Sequence, residues 1–89
     1  MKKQVSVWDT YVTAKNGQLM HFDILVPHSI KDPTIVYQYG KAYLKSKGEE
    51  GQQLSTEECR FCHVETLQAA WEKEIEEKGY FIIEMEGCN

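Results

Sequence analysis

The residue types best suited to chemistry sit in one pentapeptide, Cys59-Arg60-Phe61-Cys62-His63, joined by a third cysteine at position 88. Four readings of this group compete. Covalent haem attachment uses a Cys-x-x-Cys-His segment, the thiols adding to vinyl groups and the imidazole ligating iron. That chemistry belongs outside the cytoplasm, whereas Met1-Lys2-Lys3 leads directly into Gln4-Val5-Ser6-Val7-Trp8-Asp9 without an export signal. A porphyrin also asks for more core than a small domain can spare. A thiol-based redox pair needs Cys59 at a helix N-terminus, where the dipole lowers the thiol pKa, but the early βαβ unit that carries such motifs is missing. A zinc site is the third reading. Two thiolates two residues apart reach one ion from a tight turn, and tetrahedral closure then needs two more ligands. Cys88 supplies the third if the last strand lies beside the motif, and His63, or else His21 or His28, the fourth. The plainest reading is that reduced cysteines fill core space as small hydrophobes. Among the chemical readings zinc ranks first, with Cys59, Cys62, His63 and Cys88 as its ligands.

Other polar groups are weaker candidates. His21 and Asp23 share one face of a strand, a spacing that suits a base and its orienting carboxylate, although such pairs usually face solvent. Tyr37, Tyr39 and Tyr43 with Lys41 and Lys45 hint at base stacking over a basic groove, but at helical spacing they read as core and boundary residues. There is no glycine-rich phosphate loop, serine nucleophile elbow or paired-glutamate metal motif.

The elements that must position these residues follow from pattern. Residues 4–14 and 18–26 read as two strands joined at Asn16-Gly17, which supplies the positive φ of a hairpin. Met20, Phe22, Ile24 and Val26 share a face of the second strand. A type I turn with a glycine bulge brings Trp8, Val12 and Ala14 to that face and collects more apolar surface than a two-residue turn pairing Tyr11 with Phe22. Asp32-Pro33 marks a helix start that runs to about Lys47 before Gly48, burying Val36, Tyr39, Tyr43 and Leu44. Gly40 implies a close approach to the sheet. Ser55-Thr56-Glu57-Glu58 matches a capping box, yet Cys59, Phe61 and His63 alternate with Arg60, Cys62 and Val64, which favours a short strand or turn. A second helix from near Thr66 to Gly79 buries Leu67, Ala70, Trp71 and Ile75. A last strand spans Tyr80 to Glu86, with Phe81, Ile83 and Met85 on one face. The order ββα(β)αβ predicts an α+β, two-layer sandwich, a small mostly antiparallel sheet with two helices on one face.

Composition excludes several classes. The 89 residues make one domain, 1–89, with no room for an interdomain cleft. The net charge of −4 opposes nucleic-acid binding, since phosphate affinity is mostly summed positive charge. No apolar run approaches a membrane span, so the cytoplasm is the default compartment and a monomer the expected state. Residues 1–48 carry +4 and residues 49–89 carry −8. Side-by-side helices would pair these charges across their seam, and the acidic half also suits a protein-interaction module.

Several segments together resemble a bacterial family of small uncharacterised proteins, domain of unknown function 2024. They are Val7-Trp8-Asp9-Thr10-Tyr11-Val12-Thr13-Ala14, Met20-His21-Phe22-Asp23, Glu58-Cys59-Arg60-Phe61-Cys62-His63, and Gly79-Tyr80 through Met85-Glu86-Gly87-Cys88. The resemblance implies a compact α+β domain of bacterial origin with no established activity. Its recurring positions match His21, Asp23, Cys59, Cys62, His63 and Cys88, without assigning any of them a role. The expected function is therefore a non-enzymatic domain with a zinc-binding Cys/His cluster. The alternatives are a thiol-based redox protein and an acidic interaction module.

Overall fold

The computed structural model of the chain describes residues 3–49, 51–52, 54 and 59–88, with only the backbone of Cys59 and Arg60. The elements run β1 (Gln4–Thr13), β2 (Leu19–Pro27), α1 (Pro33–Ser46), β3 (Cys59–Thr66), α2 (Ala69–Lys78) and β4 (Phe81–Glu86). The strands form one sheet in the order β3-β1-β2-β4, antiparallel throughout. The α+β class and the element order are those predicted from the sequence. The capping box at residues 55–58 lies outside the described residues, and residues 59–66 take the strand alternative.

The hairpin shows why the chain turns where it does. The Gly17 amide donates to the Ala14 carbonyl at 2.9 Å, the Ala14 amide to Gln18 at 2.8 Å, and Gly17 has φ +87°. This is a type I turn closed by a left-handed glycine, which shifts the register so that Trp8 opposes Ile24 and Val12 opposes Met20. Trp8, Val12, Met20, Phe22, Ile24 and Val26 thus share a face and pack with Val36, Tyr43 and Leu44 of α1. The α1 start is fixed by Asp32, whose Oδ1 accepts from the Thr34 amide at 2.9 Å, with Pro33 at the first helical position. At Gly40 a Cβ would come within 2.8 Å of Leu54 and 3.3 Å of Ile24, so the close approach inferred from sequence is real.

The placement of the second helix corrects the two-layer expectation. Val5, Val7 and Leu25 occupy the opposite face of the hairpin, where they form a separate core with Ile75, Leu67 and Trp71 from α2 and its approach, and with Phe81 and Ile83 of β4. The molecule therefore has three layers, with one helix on each face. The reason is visible in β1 and β2, where buried residues run consecutively at Val5-Ser6-Val7-Trp8 and Ile24-Leu25-Val26. A sheet apolar on both faces must be covered on both. Among the described residues no ion pair joins the two helices, so the expected seam of opposite charges does not form there. Lys47 pairs instead with Glu84 of β4 at 3.0 Å, and Lys78 with Glu74 inside α2 at 2.9 Å. Buried Tyr43 donates to Glu84; burial and that carboxylate push the phenol pKa up. Among the described residues no helix is long and apolar enough to cross a membrane.

Candidate metal centre

The α2 side of the sheet is only half covered. At about 1.5 Å per residue the ten-residue α2 spans about 15 Å, while the ten-residue β1 at about 3.3 Å per residue spans about 33 Å. Beyond the helix, the same strand faces turn polar. Asp9 opposes Asp23 and Tyr11 opposes His21, all on the face that carries Val5, Val7 and Leu25 further along. The Tyr11 and His21 rings stack at 4.2 Å and 12°. His21 Nε2 is then held 3.8 Å from Asp9 Oδ1 and 3.7 Å from Asp23 Oδ1. One ligand atom from each of the three residues lies within 4.8 Å of the others. His21 Nε2 and Asp23 Oδ1 are shielded from water and have no hydrogen-bond partner.

A third strand borders this cluster. In the β1–β3 ladder His63 opposes Val7 and Phe61 opposes Trp8, so Cys62 is the extra residue of a bulge. Its Sγ lies 3.2 Å from His63 Nδ1, and His63 Nε2 lies 2.9 Å from Glu65 Oε1. Desolvation and a hydrogen bond with Asp9 push the Cys62 thiol above its ordinary pKa, helped by the charge of Asp23. A redox nucleophile needs the opposite shift.

The two aspartates behave as a coupled pair. Burial, then the Asp9 carboxyl beside it, raise Asp23 to about 6. The hydrogen bond from Asp23 holds Asp9 below the usual carboxylate range. Without a cation, one proton shared by the pair relieves two like charges placed directly across a ladder.

The donor set fits a divalent transition metal. Two ligands bound to one ion at about 2.0–2.2 Å lie about 3.0–3.6 Å apart. The His21–Asp spacings exceed this by a few tenths of an ångström, within reach of small side-chain rotations. An imidazole with two carboxylates accepts zinc among other ions, and a nearby thiol shifts the preference toward zinc.

Of the four ligands expected from sequence, Cys62 and His63 are not brought together with Cys88. Cys62 and His63 are neighbours on the exposed edge strand β3. Cys88 is buried with the α1 core, and its thiol donates to the carbonyls of His21 at 3.5 Å and Glu86 at 3.3 Å. The β3 and β4 edges are three strand spacings apart, about 14 Å. The Cys59 side chain lies outside the described residues. His28 bonds Ser6 at 3.1 Å and takes no part. Asp9 was missed, although the bulged-turn register sets it opposite Asp23, and that like-charge pair was the available signal.

The NMR structure of protein NE1680 from Nitrosomonas europaea is similar over 97% of this chain and 99% of its own, with 45% sequence identity and a TM-score of 0.83. No curated protein matches. The family model described as domain of unknown function (DUF2024) matches residues 3–85, and the chain belongs to that family.

Proposed function

We propose that this domain is a non-enzymatic metal-binding protein whose ion, zinc by preference, is held by Asp9, His21 and Asp23. Cys62, which hydrogen-bonds Asp9, is the candidate for a fourth ligand, with His63 behind it as the orienting imidazole. One observation carries the reading: His21 Nε2 and Asp23 Oδ1, both screened from water and without a hydrogen-bond partner, converge to 3.7 Å. A buried polar atom left unpaired costs about 1–3 kcal/mol, so a fold that keeps two side by side is supported if a cation joins them. Tyr11 stacked on the His21 ring fixes the imidazole plane, as an outer partner of a metal ligand does. Of the residues singled out from sequence, Cys62 and His63 belong to this proposal; Cys88 has a packing role.

Zinc titration of the metal-free chain against a competing chromophoric chelator tests it. The expected result is one ion per chain, with affinity falling at least about 100-fold in His21→Ala and Asp23→Asn. Binding of no zinc, or equal binding by both variants, would refute the assignment.

A further inference from the structure

The two edges of the sheet are guarded differently. An edge strand carries a row of unpaired main-chain donors and acceptors, which single-chain folds blunt with bulges, charges or proline. On β3 the bulge at Cys62 breaks that row, and His63 with Glu65 adds polar side chains beside it. The first part of β4 has no such device. Phe81-Ile82-Ile83 is a half-buried apolar run, and the ladder irregularity comes only after Glu84. Glu84 itself is balanced by Lys47 at 3.0 Å and by the Tyr43 hydroxyl. The register shows which main-chain groups face outward. The His28 amide donates to Gln4 at 3.1 Å and the Ala14 amide to Gln18 at 2.8 Å, so even-numbered residues of β2 bond β1 and odd-numbered ones bond β4. Asp23 and Leu25 therefore bond Ile83 and Phe81, and the N–H and C=O groups of Ile82 and Glu84 point away from the sheet. No other main-chain group among the described residues bonds them. The space beside them is open, a cleft of about 390 Å³ lined by Ile82 and Glu84, by Tyr43 and Ser46 of α1, and by Glu74 and Lys78 of α2.

We infer that this edge pairs with β4 of a second copy of the chain, antiparallel about a dyad at Ile83, so that two four-stranded sheets become one. Ile82 of each copy then exchanges N–H···O bonds with Glu84 of the other, on both sides of the dyad. The occupant is a second copy because the strand complements itself in this register. On the α2 face Ile83 meets Ile83, and Phe81 lies opposite Met85, which is 52% exposed in the single chain. On the α1 face Ile82 lies opposite Glu84, so no glutamate of the paired segment meets another. A dyad at Glu84 would set two carboxylates directly across the ladder, which is destabilising. A dyad at Ile82 would carry the pairing into Tyr80, outside the strand, and leave Met85 uncovered. Assembly stops at two copies, because the outer edges of the joined sheet are then the bulged β3 strands. The dimer replaces the monomer expected from composition and is independent of the metal proposal.

The test joins sedimentation equilibrium of the full chain, at concentrations up to about 1 mM, with amide hydrogen exchange followed by NMR. The expected mass rises with concentration from 10.3 kDa toward twice that value. In the dimer the Ile82 and Glu84 amides should be protected at least about tenfold more than the Val64 amide, which by the same alternation points out from β3. Ile83→Lys sets two ammonium groups face to face and should weaken association at least about tenfold. Ile83 also packs against the second core, so Met85→Lys, a change at an exposed side chain that keeps the native spectrum, is the second variant and should weaken association too. A chain that stays monomeric throughout, leaving the edge to a strand of a different protein, would overturn the inference. So would a dimer whose Ile82 and Glu84 amides exchange as freely as that of Val64, or wild-type association in Met85→Lys.

Discussion

The α2 side of the β1–β2 hairpin contains two regions built from the same strands and opposite in character. At the end of the hairpin away from the Asn16-Gly17 turn, Val5, Val7 and Leu25 are sealed beneath Ile75, Leu67 and Trp71. A few residues along, Asp9, Tyr11, His21 and Asp23 take the equivalent positions beyond the reach of the helix. The covered half is what hydrophobic burial makes of a sheet face. The open half places two carboxylates across one ladder, an arrangement that costs stability unless a proton or cation lies between them. Stability and binding capacity are therefore expected to separate along a single pair of strands.

The largest effect should come from breaking the covered half. Leu25 is 0% exposed, so Leu25→Ala should cost about 2–5 kcal/mol by urea denaturation. Asp23→Asn in the open half should cost nothing measurable, because it removes a buried like-charge contact. Next in size is metal linkage. Zinc at 100 times its dissociation constant should stabilise the wild-type chain by about 2.7 kcal/mol, seen as a raised melting temperature. That increment should vanish in Asp23→Asn and persist in Cys88→Ala, whose own baseline falls with the lost core atoms.

The pH dependence of the metal-free chain sharpens the same contrast. Asp23 is raised to about 6 in the fold, against 3.8 as its ordinary value. Its contribution is fully present below the unfolded value and is lost as pH rises through about 6. After allowance for solvent screening the loss should be on the order of 1–2 kcal/mol. Asp9, shifted downward, contributes above its unfolded value and loses that contribution as pH falls through the lower folded one. Denaturation midpoints measured from pH 4 to 7 should therefore fall in the wild type and stay flatter in Asp23→Asn. The smallest effect belongs to the exposed Lys78–Glu74 pair on α2, where Lys78→Ala should change stability by about 0.3–0.5 kcal/mol.

Local patterns made much of this fold legible. Asn16-Gly17 and the alternation of Met20, Phe22, Ile24 and Val26 fix the hairpin and its register, while Asp32-Pro33 and Gly79 bound the helices. The layer arrangement was harder to read because it depends on both strand faces at once. Val5, Val7 and Leu25 carry the second core, but alternation in β2 draws the eye to the first. The candidate metal site was only partly legible for a related reason. His21 and Asp23 are two residues apart and visible as a pair, whereas Asp9 joins them only through the ladder. The Cys-x-x-Cys-His segment attracts notice by motif, yet the sheet order carries Cys88 to the far edge from Cys62.

Zinc-edge X-ray absorption on the zinc-loaded chain tests the central claim most directly, because nitrogen and oxygen ligands are resolved from sulfur by distance. The expected first shell is dominated by nitrogen and oxygen at about 2.0–2.2 Å, with no more than one sulfur at about 2.3 Å. A shell with two or more sulfurs, or a chain that takes up no zinc, would contradict the assignment of Asp9, His21 and Asp23.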